Sequence, residues 1–220
     1  MAGTLSIVST PIGNIEDITL RAIRTLKEAD IIAAEDTRHT KKLLNAYRID
    51  TPLTSFHSYN NRQKSRTIIK MLKEGKNVAL VSDSGTPGIS DPGHVLIKGC
   101  IDESLPATVI PGPTALVAAL VLSGKPANKF VFEGFLSSKG ARRKKQLKEL
   151  LTEERTVIVY ESPHRIEKLL IDIKDIDPAR TVVLARELTK KFEEVKHGTA
   201  EEHLGYFAEN KPRGEFIVLF

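Results

Sequence analysis

Apolar positions along the chain follow two rhythms that alternate. Short runs rich in β-branched residues, LSIVS (5–9), IIAA (31–34), PLTSF (52–56), VALVS (78–82) and ATVI (107–110), read as strands. Between them lie stretches with apolar residues at threefold or fourfold spacing, the mark of amphipathic helices. TLRAIRTLKEAD places Leu20, Ile23 and Leu26 on one face, with Asp17 or Thr19 available as its cap. Further helices are expected around KKLLNAY after a polar turn EDTRHT, over residues 62–73 with Gly75 as terminator, and over HVLIKGCIDE. PGPTALVAALVLSG predicts an apolar helix opened by two prolines, the second in its first turn.

The alternation resumes after the connector GKPAN (124–128). KFVFEGF, TVIVYE, TVVLARE and EFIVLF read as strands, and residues 138–151, PHRIEKLLIDI and EEHLGYFAE as helices. EVKHGT suggests one more strand and, with it, antiparallel pairing in the second half. Strands alternating with helices predict an α/β fold, its first half mainly parallel. The connector sets the expected division into residues 1–123 and 124–220. No repeat of fixed period interrupts this plan.

Composition narrows the classes. With 220 residues, 40% of them apolar and 28% charged, the chain is long enough for one large domain or two small ones, each with a proper core. The amino-terminal stretch has neither a basic nor an apolar segment of the signal-peptide kind, and the longest uncharged apolar run, 111–124, is too short to span a bilayer. A cytoplasmic protein without membrane contact is expected. A lone cysteine, Cys100, forms no intrachain disulfide, suits a reducing compartment and is expected in the core. A net charge of +5 mildly favours an anionic partner. The absence of Trp, with only eight Phe and four Tyr, argues against a stacking platform along single-stranded nucleic acid.

The most informative loop is SDSGTPGISDPG (82–93), which leaves a strand and enters a helix. Three glycines and two prolines bend its backbone, yet it holds two aspartates and no lysine or arginine. Neither phosphate-loop spacing is present, and Asp83 and Asp91 would repel an anion. A Mg²⁺ ion on the two aspartates is a weaker alternative, because nothing between them supplies further ligands. A self-contained turn whose aspartates cap the next helix is another. A ligand carrying positive charge, such as S-adenosyl-L-methionine, suits the loop better. TPIGN (10–14), AEDTRHT (34–40) and IPGPTA (110–115) also follow strands, where α/β sheets place their ligands.

TPIGNIEDITLRA, AAEDTRHTKKLL, SDSGTPGISDPG, IPGPTA, YESPHRI and RELTKKFEE, in this order, resemble the bacterial ribosomal RNA small-subunit methyltransferase I family, over residues 5–220. That family has the tetrapyrrole-methylase fold, the class III type of S-adenosylmethionine methyltransferase. The resemblance implies two α/β domains with the cofactor cleft between them and S-adenosyl-L-methionine as cofactor. It also implies 2′-O-methylation of a cytidine ribose in 16S rRNA of the small ribosomal subunit, and a homodimer. Relatives usually continue with a further carboxyl-terminal segment, so RNA contacts of such a segment are not carried over. By motif, Pro11, Ser84, Gly85, Thr86, Ile89, Thr114, Ala115, Glu161 and Leu188 fall at cofactor positions.

A 2′-hydroxyl is a weak nucleophile, so a base or a cation near its oxygen accelerates the transfer. Glu35, Asp36, Arg38, His39, Glu187 and Lys190 lie in the matched motifs. Asp36 or Glu187 is expected as base, with Arg38 and Lys190 holding RNA; alternatively, AEDTRHT is a salt-bridged helix entrance capped by Asp36. His57, in SFHSYNNR, is expected to be satisfied locally, and Tyr59 is placed to stack on a base. The basic helix KGARRKKQLKEL is either a solvated face or a rRNA-phosphate face. Two other functions stay open: methylation of a tetrapyrrole-like small molecule, and a non-enzymatic RNA-binding assembly factor.

Overall fold

A computed structural model describes residues 1–220. They form two compact units, Met1–Thr114 and Ala115–Phe220. The division falls ahead of the GKPAN connector that the sequence suggested, because the apolar helix before that connector packs with the second unit.

The first unit contains β1 (Leu5–Val8), β2 (Ile31–Ala34), β3 (Leu53–Ser55), β4 (Val78–Val81) and β5 (Ala107–Ile110), paired in the order β3-β2-β4-β1-β5. Every pairing is parallel. The chain steps outward from β1 to β3 and then returns to β4 and β5. Right-handed crossovers therefore put the helices of the two journeys on opposite faces. Accordingly α1 (Leu20–Glu28) and α2 (Thr37–Ala46) bury Ala22, Leu26 and Leu44 against Val8, Ile32, Ala34, Ala79 and Val81. On the other face, α3 (Asn61–Lys73) and α4 (His94–Asp102) bury Ile68, Leu72, Leu96 and Cys100 against Leu5, Ile7, Ala33, Val78 and Leu80. Adjacent residues of one strand thus serve different cores, which is why these strands read as unbroken apolar runs.

Two boundaries differ from the sequence reading. The expected polar turn EDTRHT is already helical from Thr37, because Asp36 accepts a hydrogen bond from the Arg38 N–H and caps α2 there. Of the two candidate caps of α1, Thr19 takes the role, its hydroxyl accepting from the Ala22 N–H at 3.1 Å.

The second unit opens with α5 (Ala115–Leu122). Pro111 and Pro113 both precede its first helical residue, so neither proline sits in its first turn as expected. The sheet holds β6 (Phe130–Phe135), β7 (Thr156–Glu161), β8 (Thr181–Arg186), β9 (Glu194–Thr199) and β10 (Phe216–Leu219), in the order β6-β7-β10-β8-β9. Only β6 and β7 pair in parallel; antiparallel pairing reaches the centre of the sheet. α6 (Gly140–Leu150), α7 (Ile166–Ile176) and α8 (Ala200–Glu209) cover one face through Leu147, Leu169, Leu170, Ile173 and Phe207, packed on Val157, Val159, Leu184, Phe216 and Val218. No helix is long and apolar enough to cross a membrane.

Candidate active site

Parallel pairing brings the carboxyl ends of β1 to β5 to one edge of the first sheet, where loops meet that are far apart in sequence. The loop after β4 is tied to the loop after β1 by a two-residue antiparallel bridge: the Thr10 N–H donates to the Gly85 carbonyl at 2.9 Å and the Gly85 N–H returns the bond to Thr10 at 3.1 Å. Gly85 adopts φ +79°, in the left-handed region. A Cβ there would make only ordinary contacts with Ile12 and the Pro113 carbonyl, so backbone conformation rather than space demands glycine. Next to it the Thr86 hydroxyl lies 2.9 Å from the Ser9 hydroxyl and 2.8 Å from that of Thr114. This chain of three hydroxyls laces together the ends of β1, β4 and β5. Pro11 and Ile89 are half-buried beside it, and Ser84 is exposed.

Carboxylates occupy the ends of β2 and β4. The Asp36 N–H donates to Asp83 Oδ1 at 2.9 Å, and the Asp83 N–H donates to the Glu35 carboxylate. These reciprocal bonds hold the two loops in register. Burial, and then the neighbouring Asp83, raises the Glu35 carboxyl above its usual range, while the nearby His57 offsets part of the rise. Asp91 is pushed up to about 6 by burial and then by Glu35; the Ser82 hydroxyl pulls the other way. Neither loop aspartate caps α4, whose N-terminus has no side-chain cap. No group of three or more His, Cys, Asp or Glu is arranged to hold a metal ion.

Asp36 has a different environment. Beyond capping α2, it accepts from Arg38 Nε at 3.2 Å and Nη2 at 2.8 Å, and the guanidinium holds its carboxyl far below the usual range. Arg38 itself points into solvent. The helix-entrance reading of AEDTRHT describes this pair. His57 pairs locally with Asn60: its N–H donates to Asn60 Oδ1 at 2.9 Å, and its Nε2 lies 3.2 Å from Asn60 Nδ2. Tyr59 is fully exposed.

In the second unit the strand register sets Glu161, Phe216 and Arg186 abreast at one end of the sheet. The Glu161 side chain is buried, accepts the Ser162 N–H at 2.8 Å and meets Arg165 Nη2 at 3.2 Å; burial still raises its carboxyl above the usual range. Glu187 and Thr189 follow β8 with positive φ, and Leu188 between them is buried. Burial works to raise Glu187 but is outweighed by Lys190 Nζ at 2.9 Å and the Glu215 N–H at 3.1 Å, so its carboxyl lies below the usual range. Lys190 also meets Glu215 at 3.1 Å. A Cβ on Gly214 would fall 2.4 Å from the Glu187 carboxyl carbon, and Gly214 has φ +79°, so only glycine lets Glu187 lie there. Ala115, half-buried, opens α5.

The basic helix α6 is not a uniform charged face. Arg143 is buried, and its Nε and Nη2 both lie 2.7 Å from Asp172 of α7; Lys144 pairs with Asp175 at 2.9 Å. Lys139, Arg142, Lys145 and Lys148 remain exposed. Sequence reasoning missed Ser9, Ser82 and Gly214 as parts of the site. Ser9 and Ser82 looked like the last residues of strands, and the importance of Gly214 arises from its contact with Glu187 across the sheet end.

An all-parallel sheet with an acidic, hydroxyl-laced carboxyl edge, joined to a mixed sheet, places the chain in a known class. It belongs to the tetrapyrrole (corrin/porphyrin) methylases, whose family model matches residues 4–203. Within that class it is 48% identical to the ribosomal RNA small subunit methyltransferase I of Synechocystis sp., an alignment covering 99% of this chain and 78% of the relative. It is equally similar, at 48%, to the protein of that name from Thermotoga maritima, with 99% and 97% covered. The motif resemblance agrees with both. Among solved structures, uroporphyrin-III-C-methyltransferase from Thermus thermophilus superposes with a TM-score of 0.69 at 22% identity, over 99% of this chain and 94% of the other. A diphthine synthase gives 0.72 at 14%, over 99% and 89%. These two similarities establish the fold.

Proposed function

We propose that this protein transfers a methyl group from S-adenosyl-L-methionine to the 2′-oxygen of a cytidine ribose in 16S rRNA of the small ribosomal subunit, as a cytoplasmic homodimer. The observation that carries the choice of donor is the loop 82–93: bent around Gly85, laced by hydroxyls and lined by Asp83 and Asp91, it contains no cation. Such a lining suits a sulfonium and an ammonium and disfavours a nucleoside triphosphate. The RNA target comes from the relatives' name, together with the exposed cations of α6.

The donor supplies an electrophilic methyl group when bound. The chain's own residues hold it, align the ribose and take up the proton of the 2′-hydroxyl. By the family motifs, Pro11, Ser84, Gly85, Thr86, Ile89 and Thr114 of the first unit and Ala115, Glu161 and Leu188 of the second would hold it. Asp36 and Glu187, the bases expected from the motifs, are each held ionised by a cation, which makes them poor proton acceptors. Glu35 has no such partner and a raised carboxyl, so the proton passes to Glu35. Arg38, free at its outer edge, and Lys190 position the RNA phosphates.

For the dimer, α5 is apolar all round: Leu116, Ala119 and Leu120 are buried, while Val117, Val121 and Leu122 stay exposed, as do Phe130 and Phe135 on the edge strand β6. Light scattering of Val121→Glu against the parent chain tests it, a monomeric parent refuting the dimer. Labelled S-adenosyl-L-methionine incubated with small subunits lacking the modification tests the activity. Label on one cytidine ribose supports the reading, whereas label only on a tetrapyrrole acceptor replaces it. In the same assay Glu35→Gln is expected to lose about 10²- to 10⁴-fold in turnover with donor affinity retained.

A further inference from the structure

A concave site lies within the second unit, at the other end of its sheet from Glu161. β7 and β8 run in the same direction, both antiparallel to β10. Glu161 ends β7, whereas Thr181 begins β8, so six residues of strand, roughly 20 Å, separate the two ends. Around Thr181 is a cavity of about 440 Å³ lined by Lys125, Asp177, Ala179, Arg180 and Thr181.

Its electrostatics are unbalanced. Lys125 and Arg180 face the same space with one carboxylate in its lining, Asp177, whose Oδ2 stands 3.6 Å from Arg180 Nε. That Nε is buried and has no hydrogen-bond acceptor. Arg180 Nη2 donates to the Leu151 carbonyl at the carboxyl end of α6, which fixes the guanidinium at the cavity wall. Lys125 Nζ is tethered only by the Thr181 carbonyl at 3.3 Å. Burial, and then the adjacent Arg180, lowers the Lys125 ammonium below its ordinary range. Two cations held together around an open space, one with an unused donor, are a costly arrangement without an anion. A tetrahedral oxyanion accepts bonds from both and relieves their repulsion.

We infer that Lys125, Arg180 and Thr181 form a phosphate-binding site, which seats a backbone phosphate of the RNA away from the methylated ribose. The assignment to RNA rests on the proposed function; the phosphate chemistry does not. A contact so far from the reacting atoms affects substrate docking and leaves donor binding and the chemical step alone.

Lys125→Gln removes one of the two charges while leaving Arg180 bonded to the Leu151 carbonyl. Lys98→Gln, in an exposed pair with Asp102 on α4, removes the same net charge elsewhere. Inorganic tripolyphosphate titrated by calorimetry, and a single-stranded RNA oligonucleotide titrated at several salt concentrations, are the probes. The site predicts weaker tripolyphosphate binding for Lys125→Gln alone. It also predicts a salt slope for RNA that is shallower by about 0.7, the value of one lost single-strand phosphate contact. On small subunits, KM rises roughly three- to tenfold with kcat and donor affinity unchanged. Weakened tripolyphosphate binding with an unaltered RNA slope would keep the phosphate site and assign it to a free phosphate compound. Equal behaviour of Lys125→Gln and Lys98→Gln with both probes would overturn the site, whatever the outcome of the methylation assay.

Discussion

Replacing Asp91 by Asn is expected to stabilise the ligand-free protein at neutral pH. Asp91 sits in the loop after β4, where burial and the neighbouring Glu35 push its carboxyl from an ordinary 3.8 up to about 6. A raised carboxyl binds its proton more tightly folded than unfolded. Between pH 3.8 and about 6 the native state therefore holds more protons, and stability falls as pH rises through that window. Above it the whole cost is present. At 1.36 kcal/mol for each tenfold change, the gap corresponds to about 3 kcal/mol; partial access of water to the carboxyl reduces this to roughly 1–2 kcal/mol. Asn preserves the shape and a bond to Ser82 while removing the charge. Its melting temperature should exceed that of the parent by roughly 2–8 °C at pH 8, with no difference below pH 4. Scanning calorimetry at pH 4, 6 and 8 gives the comparison. A variant that is less stable at pH 8, or equally altered at all three values, would refute the account of this loop as electrostatically loaded. The same substitution should weaken S-adenosyl-L-methionine binding, because charge that destabilises the empty loop attracts a cation; stability and function oppose each other here.

Other substitutions probe different joints. Gly214→Ala drives a methyl group into the Glu187 carboxyl and strains φ at +79°; it should lower methylation at least tenfold, measured beside a circular-dichroism melt of the same sample. Arg143→Met leaves Asp172 charged and buried on α7 with only Lys144, 3.4 Å away, as a cation partner and should cost about 3 kcal/mol in urea unfolding, whereas Arg143→Met with Asp172→Leu recovers most of it. Asp36→Ala removes the cap of α2 and should cost roughly 0.5–2 kcal/mol of stability with turnover kept within a few fold; a loss beyond a hundredfold would return the role of base to Asp36.

Much of the architecture was legible because element periodicity is local. The strands Ile31–Ala34, Ala107–Ile110 and Glu194–Thr199 fall where their apolar and β-branched residues lie in the sequence. Boundaries failed where a side chain intervened: Asp36 draws the Thr37 turn into α2, and the prolines before Ala115 act as a lead-in to α5. The compact units divide at Thr114/Ala115 rather than at the Gly/Pro connector, because α5 packs on β10. In the site, loop chemistry pointed to the loops after β1, β2, β4 and β5, which parallel pairing brings to one edge of the first sheet. The distinction between Glu35 and Asp36, adjacent in sequence, was not legible. It depends on which carboxylate finds a guanidinium and which is buried beside another acid.

The position of β10 also shapes how the polypeptide acquires its structure. This strand comes latest in the chain of the five, yet it fills the gap between β7 and β8. During synthesis at about 5–20 residues per second, the first unit has every strand it needs long before Phe216 appears. The second unit meanwhile waits with two unpaired edges facing an empty slot, an open template for sticking to other nascent chains. Premature termination between Arg186 and Phe216 should therefore leave an intact first sheet attached to an aggregation-prone remnant, and a chaperone that shields extended edges would have its main task in the few seconds before the slot is filled.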